Sequence, residues 1–257
     1  MAWVESVSAS FRARHESAHA DDADRLLHSL ELTRDRLAEL FPQASGGLTV
    51  VMHSSAASLS MSNPLLPLTR LLTAPAARRY VAGWVGAREL HVLAPPALRA
   101  RASHVPGSLE MLELAPAALY ARRVVLQNNH DLPRRLTPRR LSLELRWAWL
   151  LEGSARWFAG QTEHSRPAIG RRLHEGGPPS FPPGLRDAPL LGGTVIDLLA
   201  REEGERAAAA FACVLHPQGA RAALTKAFGG RSLTHTEGAW RSHLARMAGA
   251  PRSTASV

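Results

Sequence analysis

The chain has 257 residues, of which 45% are hydrophobic, and a formal net charge of +9 carried almost wholly by arginine, Lys226 being the sole lysine. That length buries a full core, as one large domain or two packed ones, and no apolar run reaches the roughly 18–20 residues that span a bilayer. The single cysteine, Cys213, excludes an internal disulfide and a multi-cysteine metal site. In chain order, the opening MAWVESVSASFRARHE carries Glu5 and has no apolar h-region. It reads as no secretory signal, and a reducing cytoplasm is the expected compartment. Phe11 and Ala13 alternate with Arg12 and Arg14, which predicts a strand over residues 4–16.

Asp21 or Asp22 then suits an N-cap, opening a helix to Phe41 with Leu26, Leu27, Leu30, Leu37 and Leu40 on one stripe. Residues 48–53, LTVVMH, predict a short buried strand. Residues 54–77 are small, polar and broken by proline, so a long loop with one helical turn is expected. Residues 80–93, YVAGWVGARELHVL, predict two short strands around a turn near Gly86, stopped by Pro95 and Pro96. Pro116 suits the first position of a helix that runs to Asn128. A second long helix is expected over 142–160. The Pro/Gly-rich residues 166–190 form a connection, residues 191–248 a helical C-terminal subdomain, and 249–257 a disordered tail.

Within the second long helix, Trp147, Leu150, Leu151, Ser154 and Phe158 make an apolar stripe that must face a core. Glu152 lies beside that stripe, among Ala148, Ala155 and Ala159. Small residues there let another helix approach, so this carboxylate needs a partner: a cation, a metal or several donors. The segment WAWLLEGSARWFAGQ resembles the W-L-x-E-G-x-A-x-Y segment of the gluzincin, or peptidase MA-like, zinc metallopeptidases. Three C-terminal patterns extend the resemblance: Ala223-Leu224 to Gly229, Ser232-Leu233 to Glu237, and Trp240 to Leu244. It implies an α+β, zincin-like fold, with a small N-terminal sheet and helices over residues 1–165 followed by a helical C-terminal part.

In that family Glu152 would be the third zinc ligand, and an H-E-x-x-H pair of ligands would stand on the preceding helix. The nearest frame is Leu126-Gln127-Asn128-Asn129-His130. His130 matches the second ligand, but Leu126 binds no metal and Gln127, at the expected base position, takes no proton from water. Shifting the frame to His130–Arg134 places Pro133 inside the helix and Arg134 beside the cation, and Tyr120–Val124 offers no imidazole. The expectation is therefore a pseudo-peptidase with degenerate metal positions at His130 and Glu152, no cofactor, and a cleft that binds peptide or protein.

Two other readings remain. A literal H-E-x-x-H stands at His15, Glu16 and His19, which would make an active zinc-dependent metallopeptidase if a helix covered it. The cluster Arg134, Arg135, Arg139 and Arg140 suggests an arginine-rich module acting on nucleic acid, but no aromatic residues interleave with it as stacking platforms. His53, His91, His104 and His164 read as single core or surface residues.

Overall fold

The computed structural model describes residues 3–135 and 137–249. The expected first strand is a hairpin, β1 (Trp3–Val7) and β2 (Phe11–Glu16) pairing antiparallel. Its turn is fastened to helix α1 (Ala20–Ala38) by Glu31, whose Oε1 accepts from Ser8 Oγ and the Ser10 amide, both at 2.6 Å. Asp21 and Asp22 occupy the first turn of α1, and no side chain caps its amides. Ala23, Leu27, Leu30 and Leu37 form its buried stripe.

Strand β3 (Leu48–His53) follows as expected. The stretch expected as loop holds two short helices instead, α2 (Ala56–Ser62) and α3 (Leu66–Leu72). The Ser55 side chain caps α2 by accepting from the Ser58 amide at 3.1 Å, and Pro67 sits in the first turn of α3, where a missing N–H costs nothing. Strands β4 (Gly83–Val85) and β5 (Glu89–Leu93) flank the turn at Gly86. The five strands lie in the order β1-β2-β3-β5-β4, with β2, β3 and β5 parallel and both edge strands antiparallel. One face buries Phe11, Ala13, Val50, Met52, Leu90 and Val92.

Pro95 and Pro96, expected only to stop a strand, also open helix α4 (Pro95–Arg101). After α5 (Ser108–Glu113), α6 (Ala115–Asn128) lies against β4 and β5, and Phe11 meets Tyr120 edge-to-face at 5.2 Å. Gly83 permits this approach, since a Cβ there would lie 2.4 Å from the His91 carbonyl oxygen and 2.5 Å from Leu119. The expected long helix over 142–160 is two helices, α7 (Pro138–Arg146) and α8 (Ala148–Phe158), broken where Trp147 leaves helical geometry at φ −104° and ψ 16°.

Beyond the short α9 (Gln161–His164), the stretch expected as connection contains α10 (Arg166–Glu175). Its Pro167 stands in the first turn, and its Ala168 and Ile169 are buried. Helices α11 (Ala188–Glu203), α12 (Glu205–Ala212), α13 (Ala220–Ala227) and α14 (Leu233–Gly249) complete the chain. The tail expected beyond Gly249 lies outside the described residues. The observed class is α+β, and one connected apolar cluster runs from Phe11 to Met247, so the C-terminal helices share the core of the sheet. Helix α11 packs on α8 backbone to backbone: a Cβ on Gly153 would stand 2.3 Å from the Gly192 carbonyl carbon. No helix among the described residues is long and apolar enough to cross a membrane.

Candidate cleft and its charged floor

Helix α6 presents two chemically different faces. Tyr120, Ala121, Val124 and Val125 are buried in the core, whereas Ala115, Ala118, Leu119 and Arg122 line a cavity of about 350 Å³. The facing wall is α8, contributing Ala148, Glu152, Ala155 and Arg156 at the i, i+4 spacing of one helical face. Edge strand β4 closes one side. Leucines of α3, of the residue before it and of α7 form the rim: Leu65, Leu72, Leu141 and Leu145 stay 64%, 49%, 52% and 44% exposed. Large apolar side chains left in water around a concave site mark a surface suited to an apolar partner.

The floor is ionic. Arg122 Nε donates to Glu152 Oε1 at 2.6 Å, and its Nη2 donates to Glu144 Oε2 at 3.0 Å. The other oxygen of Glu144 accepts from Arg140 Nε at 2.7 Å. Burial alone would lower the pKa of the Arg122 guanidinium, but Glu152 and Glu144 outweigh it and raise that pKa above the ordinary value. Arg156, one turn beyond Glu152, is 8% exposed and makes no ion pair among the described residues. Its Nη1 donates to Gln161 Oε1 at 3.1 Å, while its Nε is buried without a partner. Burial pushes its pKa down, against the pull of Glu152 and Tyr80. Three guanidiniums thus meet two carboxylates, and the surplus positive charge rests on Arg156.

No family model matches the chain, and no curated protein and no solved structure gives a match.

The sequence-predicted residues fall in three places. Glu152 stands in the cleft, with Arg122 as the cation it needs. His130 does not join it: it lies in an exposed turn beyond the end of α6, two helical turns past Arg122, and lines no part of the cavity. Gln127 points away as well, its Nε2 donating to Gln43 Oε1 at 2.9 Å and Ser45 Oγ at 2.5 Å. The segment of α6 that faces Glu152 is Ala118 to Arg122, a frame without histidine.

His15, Glu16 and His19 are divided between β2 and the 3-10 turn Ser17–His19, so no helix puts both imidazoles on one face. His15 is fully buried, with ring nitrogens 3.1 Å from Ser6 Oγ and 2.9 Å from the Glu16 carbonyl oxygen. Ser54 Oγ donates to Glu16, and His19 lies 3.5 Å from Asp22. Among the described residues no group of three or more His, Cys, Asp or Glu side chains is arranged to hold a metal ion. Beside Glu152, the α6 side chains Ala118, Leu119 and Arg122 line the cavity and offer two alkyl groups and a cation, none of which can bind zinc.

Two histidines read as single residues form a pair. His53 Nε2 and His91 Nδ1 are 3.0 Å apart, with His53 Nδ1 2.9 Å from Ser58 Oγ and His91 Nε2 3.1 Å from Glu89 Oε2. Trp84, opposite His91 in the β4–β5 register, stacks on its ring at 3.9 Å. Burial, with His91 alongside, holds His53 down to about 4. The parallel pairing of β3 with β5 makes this pair, and only adjacency of those two strands would have revealed it in the sequence.

Proposed function

We propose that this chain is a degenerate, non-catalytic protein of the peptidase MA-like class whose cleft binds a peptide or protein segment. The observation that carries the reading is the Arg122 guanidinium bridging Glu152 and Glu144. In the peptidase reading Glu152 is the third-ligand position, while His130 and Gln127 lie away from it and the part of α6 that lines the cavity beside it carries no histidine and no carboxylate. A permanent cation then occupies the place of the metal, satisfies the carboxylate that would have bound it, and leaves no general base for water. No step through zinc follows from such a donor set.

Binding is supported by what remains of the site. The cavity of about 350 Å³ falls in the range of small-ligand and peptide pockets, and it combines an apolar rim with few polar groups. Edge strand β4, paired on one side to β5, borders it, and an edge strand beside a cleft can add an extended segment by backbone pairing. Arg156 adds a buried cation suited to a carboxylate on that segment.

Calorimetric titration with a leucine- and valine-rich pentapeptide, alongside mass spectrometry of the peptide with and without added zinc, tests the reading. Saturable binding with intact peptide in both conditions is expected. Cleavage with added zinc would overturn the non-catalytic reading, and absence of binding to a varied set of such peptides would remove the peptide.

A further inference from the structure

Away from the cleft, four arginines converge on one shallow basin. Arg70 of α3, Arg78 and Arg79 of the following 3-10 turn, and Arg101 at the end of α4 surround a space of about 500 Å³ floored by Pro75, Ala100 and Ala102. None of the four makes an ion pair among the described residues, in contrast to Arg122, Arg140 and Arg172, each of which faces a carboxylate. Backbone carbonyls hold three of them in place. Arg70 Nε donates to the Val81 carbonyl at 3.1 Å and Arg78 Nε to that of Thr73 at 3.0 Å. Arg101 donates through Nε and Nη2 to the Arg79 carbonyl at 3.1 and 3.0 Å. Arg70 Nη2 is buried without a partner, and the Arg79 side chain makes no hydrogen bond at all among the described residues.

Like charges so placed repel one another. Burial, with Arg70 and Arg79 beside it, pushes the Arg101 guanidinium down to about 10. Arg70 is lowered by burial as well. A folded protein that fixes three guanidiniums by backbone carbonyls and sets a fourth beside them, with no carboxylate paired to any of them among the described residues, has preformed the complement of a multiply charged oxyanion. Guanidinium forks match phosphoryl oxygens in geometry as well as charge.

We propose that this basin is a binding site for a small phosphoryl anion, of the diphosphate class. The basin has room for a diphosphate, and four donor-bearing cations match the several charges that such a group brings. Nothing in the proposal depends on the cleft or on the peptidase reading.

The test is calorimetric titration of the full chain with inorganic pyrophosphate at near-physiological salt, repeated with inorganic phosphate and with a short oligothymidylate. Pyrophosphate should bind saturably and more tightly than phosphate. Arg79→Gln, which removes a side chain with no structural bond, should weaken it about tenfold, and Arg101→Lys, which keeps the charge but loses the fork, should weaken it less. The melting temperature of the wild type should rise with pyrophosphate and that of Arg79→Gln should rise less. No binding of pyrophosphate, or binding unchanged in both variants, would overturn the proposal. So would tight binding of the oligonucleotide alone, which would give the basin to nucleic acid.

Discussion

Helix α8 is held by two neighbours in opposite ways. Toward α11 it leaves no room for a methyl group, because Gly153 and Gly192 bring the two backbones into contact. Toward α6 it packs through apolar side chains on one side and on the other leaves a cavity, whose floor is the Arg122–Glu152 ion pair with its extension to Glu144 and Arg140. The first contact is steric and has a single solution. The second adds an ion-pair network to that packing, and the network holds a charged floor in place without filling the space above it. A binding site gains from this pairing, since a cleft wall fixed rigidly from behind keeps its side chains in register.

The contrast is broken most severely at the glycine contact. Gly153→Val should destabilise the fold by at least about 4 kcal/mol or prevent folding, because the clash is with backbone that cannot move aside. Gly177→Ala, where an added Cβ meets nothing within 4 Å, should stay within about 0.5 kcal/mol in the same urea titrations. If both variants behaved alike, the close approach would not be what fixes α8.

Acid should expose a weak point that belongs to neither face of α8. An unfolded histidine titrates near 6.5, whereas His53 is held at about 4 by burial and by His91. Between those values the unfolded chain binds the extra proton, so stability falls as pH falls. It should drop by about 3 kcal/mol from pH 6.5 to pH 4 and show no contribution from this group above 6.5. Denaturation midpoints of the wild type and His53→Gln across that range check this, and the variant should show the flatter profile.

The ionic face should be more forgiving than the glycine face. Arg122→Met strands Glu152 and leaves Glu144 with Arg140 alone, and should cost about 2 kcal/mol, less than a fully buried pair because Glu152 is 30% exposed. Adding Glu144→Gln and Glu152→Gln should recover most of that loss, whereas no second change on α8 should rescue Gly153→Val. The smallest effect belongs to the rim. Leu141→Gln, at a side chain already 52% exposed, should alter stability by less than about 0.5 kcal/mol while weakening peptide binding.

The apolar stripe of α8 was legible because its period is a property of the chain alone, and all five of its residues are buried. The break at Trp147 was not, since no proline or glycine marks it. Pro67, Pro95 and Pro167 read as interruptions but sit in the first turns of helices, where proline is tolerated, so α3, α4 and α10 were missed or shortened. Glu152's need for a cation could be read from its small neighbours; which cation could not. Arg122 carries no motif, and its selection depends on how α6 crosses α8. The His53–His91 pair was hidden for a similar reason, its members lying 38 residues apart and meeting only through strand order.

The central claim is that a guanidinium, not a metal, partners Glu152. Zinc content of the protein purified without chelators tests it most directly, beside Glu152→Gln, His130→Ala and His15→Ala. Far less than one zinc per chain, in wild type and variants alike, is the predicted result. About one zinc per chain, lost in Glu152→Gln, would place a metal in the cleft and contradict the account.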